Sequence, residues 1–130
     1  KGEDHKDDMA SPYTKFIKQA QKNGAITLFE NSDQFKRDFV SVEDVVTVHC
    51  HLLKNTISGV YNIGTGRPVS FQDVGNAIAQ KYQASINYIP MPDHLHRQYQ
   101  AFTCAKLGRL NKLIDMKWTD IRDYIGMHIP

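Results

Sequence analysis

The chain has 130 residues, of which 41% are hydrophobic and 10% aromatic, a composition typical of one domain with a packed core. Sixteen Lys and Arg stand against fourteen Asp and Glu, and no basic run exceeds two residues, so nothing indicates nucleic-acid binding. The apolar runs are short, and the first residues, KGEDHKDD, carry no apolar region. The sequence therefore predicts neither a membrane span nor a signal peptide.

The cysteine content gives a first indication of compartment. Cys50 and Cys104 allow at most one disulfide, and a chain of this size does not need one. We interpret both as reduced thiols of a cytoplasmic protein, with Cys50 as a small core residue and Cys104 in a structural role. The chain opens at Lys1, in a charged stretch without Met, and is expected to be a piece of a longer protein.

The first third of the chain predicts a helix, a strand and a turn. Apolar residues recur at helical spacing between a Ser11-Pro12 start and an Asn23-Gly24 stop, so we expect a helix over about 11–23. Residues 25–29 have the composition of a short strand, and the polar residues 30–33 that of a turn.

A charged strand and a second helix are predicted next. A strand is expected to begin near Lys36 and to close at Phe39-Val40. Ser41 and Asp44 form a capping pattern, which starts a helix over about 42–54. The apolar face of that helix is expected to comprise Val42, Val45, Val46, His49, Leu52 and Leu53.

The second half alternates strands with helices. The apolar residues 59–64 end in glycine and predict a strand, which a loop follows. Ser70 and Asp73 repeat the capping pattern before a helix over about 71–82. A strand is expected over 86–89, a short helix near 105–114, and a last helix capped by Thr119. This order predicts an α/β fold with few short strands and flanking helices.

Two motifs are typical of phosphate or metal sites but have structural alternatives. Gly64-Thr65-Gly66 follows a predicted strand, yet the next residues break the G-x-G-x-x-G fingerprint, so we interpret it as a tight turn that needs positive φ. His49-Cys50-His51 has ligand types, but three consecutive helical residues cannot converge on one ion. His94 and His96 lack the further ligands of a metal motif. The sequence therefore predicts no metal site.

Two cations have competing interpretations. Lys6 lies in a charged stretch before the first helix. It is either part of a solvated tail or a group that contacts a cofactor or moves protons. Arg37 is either a surface charge paired with Asp38 or Asp33, or an anion ligand, because alternation places it on the face of its two neighbouring phenylalanines. A diphosphate suits such an arginine, since the guanidinium fork bonds two phosphate oxygens at once.

Five stretches resemble nucleotide-sugar epimerases and dehydratases of the extended short-chain dehydrogenase/reductase family. RDFVSVEDVV (37–46) resembles their RDFVYVxDV segment, and VYNIGTGRPVSFQDVGNAIA (60–79) resembles their N-(I/L)-G-(T/S)-G strand-turn-helix. Three further stretches are similar to the ADP-L-glycero-D-manno-heptose 6-epimerases: HKDDMAS (5–11) to HKGxMAS, LFENSDQFKRDFV (28–40) to LFEGSxxFKRDFV, and YIPMPDHLHRQYQAFTCAKL (88–107) to YIPFPxxLxxxYQxFTxADL.

The resemblance implies a fold and an activity. In the family, the dinucleotide fingerprint and a catalytic Tyr-x-x-x-Lys lie in an N-terminal Rossmann part, and neither occurs in this sequence. Residues 1–130 are therefore expected to be the C-terminal substrate-binding domain of a longer enzyme. That enzyme would be an NADP-dependent isomerase of lipopolysaccharide precursor synthesis, with NAD as an alternative cofactor. It would oxidise carbon 6 of ADP-heptose by hydride transfer and return the hydride to the other face.

The resemblance also implies site residues, position by position. Lys6 would act as an acid/base and lie against the cofactor. Arg37 would bind the ADP diphosphate, and Tyr99 would contact the substrate. The remaining substrate contacts would come from Asp8, Lys15, Phe29, Glu30, Asn31 and Ser32. Of these, Asp8, Lys15 and Asn31 stand where the family usually has Ser, His and Gly.

Two alternatives remain open on the sequence. The chain could belong to another extended short-chain reductase that acts on a UDP-, GDP- or dTDP-sugar, or it could be a non-catalytic module that binds nucleotides or proteins. The resemblance implies a cytoplasmic homo-oligomer as the full enzyme, with no nucleic-acid or membrane partner. Without the Tyr-x-x-x-Lys part, the 130-residue chain alone is predicted to be inactive.

Overall fold

The computed structural model describes residues 10–96 and 99–129, which form an α/β fold. The helices are α1 (Pro12–Asn23), α2 (Val42–Lys54), α3 (Phe71–Tyr82), α4 (Asp93–His96) and α5 (Ile121–His128), and a short 3-10 helix covers Leu110–Lys112. The strands are β1 (Ala25–Phe29), β2 (Lys36–Arg37), β3 (Val69–Ser70) and β4 (Ser85–Ile89). The predicted class, few short strands with flanking helices, is confirmed. Within the described ranges no helix is long and apolar enough to cross a membrane.

The strands form two small sheets. β1 and β4 pair in parallel, with Ala25 opposite Ser85 and Phe29 opposite Ile89. β2 and β3 pair antiparallel, with Lys36 opposite Ser70. Because β1 and β4 are parallel, their carboxyl ends meet at one edge, and this edge carries the turn that follows Phe29.

The helix α1 begins and ends as the sequence predicts. The Ser11 side chain accepts a hydrogen bond from the backbone N–H of Thr14, and Gly24 closes the helix in the left-handed conformation at φ 62°. Its buried face packs with α3 and β1 around the main core. The buried members of that core are Phe16, Ala20, Ile26, Leu28, Phe35, Val69, Phe71, Val74, Ile78, Ala79, Met91, Ile125 and Ile129.

Helix caps on α2 and α3 are confirmed, and the cap on α5 differs. Ser41 and Ser70 each accept the backbone N–H three residues on, at 3.0 Å. The cap of α5 is Asp120, one residue after the predicted Thr119. Thr119 is used elsewhere: its backbone N–H and its hydroxyl both donate to the buried Asp44 carboxylate, at 2.9 and 3.2 Å.

The predicted apolar face of α2 is largely uncovered in the described structure. Val42, Val46 and Leu53 are 61%, 54% and 78% exposed, whereas Val48 is fully buried. No other described helix or strand packs extensively on α2. Cys50 is also exposed, so its assignment to the core was wrong. Helical periodicity identifies an apolar face but not the surface that would cover it.

Two predicted elements of the second half are replaced. Residues 59–64 form no strand, and no backbone hydrogen bond among the described residues holds 60–63. A β-prone segment becomes a strand only where a neighbouring strand supplies a ladder. The third strand lies instead at β3, beside β2. The helix predicted near 105–114 is reduced to the 3-10 turn around the buried Leu110.

Candidate functional site

A cluster of aromatic rings surrounds Tyr99. Its ring lies edge-on to Phe35 at 5.0 Å, to Phe71 at 6.0 Å and to Phe29 at 6.3 Å between centroids. Phe35 and Phe71 stack at 6.5 Å, and Phe39 packs on Phe71 at 6.3 Å. Edge-to-face contacts of this kind each contribute about 0.5–1.5 kcal/mol beyond area burial. Tyr99 is therefore held from three sides in one orientation.

The Arg37 side chain lies on this cluster. Its guanidinium carbon is 5.3 Å from the Phe71 ring centre and 6.0 Å from that of Tyr99, within reach of cation–π attraction. Its Nη1 donates to the Lys36 carbonyl at 3.0 Å. No carboxylate among the described residues lies within 4.0 Å of it. The alternative interpretation, an ion pair with Asp38 or Asp33, is therefore not what the structure shows.

A cavity of about 550 Å³ opens between α1 and the carboxyl end of β1. Four of the predicted site residues line it: Lys15, Phe29, Ser32 and Tyr99. The other lining residues are Ala10, Pro12, Phe16, Gln19, Thr27, Leu28, Phe71, Ile89 and Leu95. A mostly apolar wall with a few polar groups is typical of a small-molecule site.

The turn after β1 carries Ser32 and two further predicted residues, Glu30 and Asn31. Ser32 is 2% exposed, and its hydroxyl donates to Gln72 Oε1 at 3.0 Å. Glu30 is exposed, and Asn31 is half-buried; neither lines the cavity. Asn31 Oδ1 is buried without a hydrogen-bond partner in the described part of the chain. A buried acceptor without a donor is costly, and because Asn31 does not line the cavity, this oxygen is not assigned to ligand binding.

The structure brings five predicted site residues to one place and leaves others apart. Lys15, Phe29, Ser32 and Tyr99 share the cavity, and Arg37 contacts Tyr99. Lys6 and Asp8 lie outside the described residues. Sequence reasoning missed Phe71, the first residue of α3, and Gln19, whose Oε1 accepts the Thr27 N–H at 2.9 Å. Neither position carried a local signal, because both reach the cavity through tertiary packing.

Tyr99 is electrostatically suited to donate a hydrogen bond. Burial raises the pKa of its phenol above the usual value of 10.0, and the nearby Arg37 charge lowers the pKa only in part. The phenol therefore stays protonated at neutral pH and can donate to a ligand acceptor.

The Gly64-Thr65-Gly66 turn is occupied by an internal anion. The backbone N–H groups of Thr65 and Gly66 donate to the Asp38 carboxylate at 2.7 and 3.0 Å. Gly66 has φ 69°, a conformation that favours glycine. Because its amides are already used, this turn does not form a phosphate cradle, and the described residues do not offer a dinucleotide site there. The interpretation as a tight turn agrees with this geometry.

The histidines and cysteines do not gather into a metal site in the described residues. His49 and His51 each bond a backbone carbonyl oxygen, of Val45 at 2.8 Å and of Leu113 at 3.0 Å. No group of three His, Cys, Asp or Glu with ligand geometry occurs within residues 10–96 and 99–129. Cys50 and Cys104 are free and exposed thiols.

The chain is similar to one protein family model and to several solved structures. The family model described as "NAD dependent epimerase/dehydratase family" matches residues 1–64. The ADP-L-glycero-D-manno-heptose-6-epimerase of Helicobacter pylori is similar at 24% identity and TM-score 0.73, over 92% of this chain and 36% of that chain. An NAD-dependent NDP-hexosamine 5,6-dehydratase of tunicamycin biosynthesis is similar at 17% and 0.73, over 92% and 39%. UDP-glucuronic acid 4-epimerase from Bacillus cereus is similar at 21% and 0.63, over 90% and 40%.

These likenesses establish the fold rather than the substrate, because each identity is below 25%. The chain spans about two fifths of the length of the three solved structures. The family model matches just under half of the chain, residues 1–64, and the chain has part of the fold of solved nucleotide-sugar epimerases and dehydratases.

Proposed function

We propose that this chain is the C-terminal substrate-binding domain of an epimerase that interconverts ADP-D-glycero- and ADP-L-glycero-D-manno-heptose. The longer enzyme would be a cytoplasmic homo-oligomer in lipopolysaccharide precursor synthesis. Support comes from the family match of residues 1–64, from the Helicobacter pylori heptose epimerase among the structural relatives, and from the segments HKDDMAS and YQAFT in the sequence.

One observation carries the proposal: the Arg37 guanidinium lies half-buried on the rings of Phe71 and Tyr99, with no carboxylate among the described residues within 4.0 Å. A cation held on aromatic faces keeps its in-plane N–H donors directed away from the rings. A diphosphate offers two oxygens at the spacing of this fork. Binding the ligand would then break no ion pair between Arg37 and another described residue.

The other site residues have compatible roles in the proposal. Tyr99 would donate its phenolic proton to the ligand, and the turn that contains Ser32 would close on the nucleotide end. Lys15 would contact the ligand at the opposite wall of the cavity. Lys6 would move the hydroxyl proton and contact the cofactor, as the resemblance implies.

NADP, or NAD in its place, would supply the hydride acceptor when bound to the longer enzyme. The one glycine-rich turn among the described residues is closed by Asp38. The described residues therefore bind and orient substrate in this proposal, and the cofactor contact within this chain is assigned to Lys6 alone.

Ligand discrimination tests the substrate class. Isothermal titration of the intact enzyme with ADP-heptose and with UDP-glucose should give the tighter dissociation constant for ADP-heptose. A tighter constant for the UDP-sugar would favour the alternative, an epimerase or dehydratase of another nucleotide sugar. Binding of neither would refute the nucleotide-sugar assignment.

Turnover tests the domain assignment separately. The purified 130-residue chain, supplied with NADP and ADP-heptose, should form no epimer when products are followed by NMR, since the catalytic Tyr-x-x-x-Lys of the resemblance is not in the sequence. The intact enzyme at the same concentration is the positive control. Measurable epimerisation by residues 1–130 would contradict the assignment.

A further inference from the structure

We infer that Asp38 is a positioning residue for the anion site: its carboxylate fixes two other segments of the chain and thereby holds Arg37 against Tyr99. The inference rests on the proposed function for the identity of the ligand. It assigns a task to Asp38, which lies in the RDFV stretch but has no site role in the resemblance and does not line the cavity.

Three segments meet at the end of β2. The Lys36 N–H donates to the Ala101 carbonyl at 2.8 Å, and the Thr103 N–H donates back to the Lys36 carbonyl at 3.1 Å. The Asp38 N–H continues the contact by donating to Thr103 Oγ1 at 3.2 Å. Residues 101–105, which follow Tyr99 and are called the strip here, therefore lie along β2 and the adjoining Asp38. This pairing sets the distance between Tyr99 and Arg37.

The Asp38 carboxylate ties this strip to the glycine turn with four hydrogen bonds. Oδ1 accepts the N–H and the hydroxyl of Thr65, at 2.7 and 2.6 Å. Oδ2 accepts the N–H of Gly66 at 3.0 Å and that of Ala105 at 2.9 Å. Both oxygens are therefore used, and both are bonded to backbone of distant sequence. A carboxylate bonded in this way restrains the segments that donate to it.

The fit around the carboxylate is close. A Cβ added to Gly64 would lie 2.6 Å from Asp38 Oδ2 and 2.6 Å from the Ala105 side chain. The turn therefore approaches as near as a backbone without a side chain permits. A shift of Asp38 would be transmitted to both the turn and the strip.

The charged side chains of Arg37 and Asp38 do not form an ion pair with each other. Neighbouring strand residues face opposite sides, so the two side chains diverge: Arg37 lies on the aromatic cluster, and Asp38 faces the turn. The donors that compensate the Asp38 charge are backbone N–H groups and one hydroxyl, not a cation of the described chain. The neighbouring Arg37 guanidinium has no carboxylate within 4.0 Å in the part of the chain that the structure describes, and in this inference its charge serves the ligand.

Matched variants of the 130-residue protein test this inference. Asp38→Asn replaces one acceptor oxygen by an N–H₂ group that would face N–H donors. Thr65→Val removes one hydroxyl at constant shape, and Thr65→Ser keeps the hydroxyl as the rescue variant. NMR titration measures the affinity for ADP and for adenosine, and amide hydrogen exchange reports on Thr65, Gly66 and Ala105.

The expected result is selective for phosphate. Asp38→Asn should weaken ADP binding roughly tenfold, as the loss of charge-assisted bonds predicts, and should leave adenosine affinity within about twofold. Thr65→Val should show a smaller loss, and Thr65→Ser should bind ADP as the unmodified protein does. Exchange at the three amides should accelerate in Asp38→Asn.

Several outcomes would overturn the inference. Unchanged ADP affinity in a folded Asp38→Asn variant refutes it, and so does an equal loss for ADP and adenosine, which would indicate a general structural role. If Asp38→Asn does not fold, unchanged ADP affinity in Thr65→Val refutes it. Failure of the unmodified protein to bind ADP is a separate result, because it refutes the proposed function on which the ligand identity rests.

Discussion

Replacing Arg37 by alanine is the most direct perturbation of the candidate site. The variant removes the charge-assisted hydrogen bonding of the guanidinium to a diphosphate, which we expect to contribute about 1.5–3 kcal/mol in total. That loss corresponds to a dissociation constant for the ADP-sugar raised by roughly 10- to 150-fold. The structure supports the upper part of this range, because Arg37 has no carboxylate partner among the described residues that would already share its charge.

Isothermal titration with ADP-heptose measures this effect, and two further variants separate its causes. Arg37→Lys keeps the charge without the fork and should lie between the unmodified protein and Arg37→Ala. Arg109→Ala is a matched control, because its guanidinium also lies over an aromatic ring, that of Tyr61 at 5.1 Å, and it does not line the cavity. It should leave the affinity unchanged. An Arg37→Ala variant that binds as tightly as the control would remove Arg37 from the site.

Three other outcomes are expected from the same structure. The phenol of Tyr99 should titrate above its usual pKa in an absorbance titration, and Arg37→Ala should raise that pKa further, since the arginine charge lowers it; a fall on substitution would contradict the contact. The pKa of Asp120 is lowered from 3.8 to about 2, chiefly by the Arg122 side-chain hydrogen bond, so the stabilisation it contributes should be complete above pH 3.8 and lost as the pH falls through about 2. Asp120→Asn should reduce the dependence of the free energy of unfolding on pH in that range, and an unaltered dependence would contradict the lowered pKa. Leu53→Gln should change the free energy of unfolding by less than about 0.5 kcal/mol, whereas Ile26→Val, at a fully buried position, should cost about 0.5–1.5 kcal/mol in denaturant titrations; equal losses would mean that α2 is covered.

Burial raises the pKa of Asp38, but the hydrogen bonds from Thr65, Ala105 and Gly66 outweigh burial and hold the pKa below its usual value. A depressed carboxyl pKa adds stability above the unfolded-state value and loses it as the pH falls through the folded-state value. The Asp38 contacts should therefore remain intact at neutral pH and release only in acid. If Asp38 positions Arg37, the ADP affinity should likewise be retained at neutral pH and should fall as the pH drops through the folded-state pKa of Asp38.

Local signals in the sequence were sufficient to predict most of the helices. The caps at Ser11, Ser41 and Ser70 form as predicted, since a hydroxyl and an N–H three residues on are close whatever surrounds them. The prediction of a strand at 59–64 was wrong, because a strand depends on a distant partner rather than on local contacts. Its composition is suited to a sheet, but a strand needs a partner that sequence composition does not supply.

The candidate site was predictable only where a motif marked it. Arg37 was identified by its alternation with two phenylalanines and by the resemblance, and Tyr99 by the resemblance alone. The structure places the Arg37 guanidinium carbon 6.0 Å from the Tyr99 ring centre, although 61 residues lie between them. Phe71 was not predicted, because as the first residue of α3 it has the same local pattern as any apolar helix residue. Its contact with Arg37 exists only because β3 is paired with β2, which brings the start of α3 beside the arginine.

The order of charges in Lys36-Arg37-Asp38 has a physical explanation at this junction. A two-residue strand followed by one more extended residue turns successive side chains to opposite sides. If the carboxylate faced the aromatic cluster with Arg37, the two charges would neutralise each other, and a ligand phosphate would have to displace an internal ion pair. Asp38 is bonded by four neutral donors on the other side, and the neighbouring Arg37 has no carboxylate of the described residues within 4.0 Å. In the proposal the anion fixes the loop geometry and the cation binds the ligand, so the charged run would support both the fold and the proposed function.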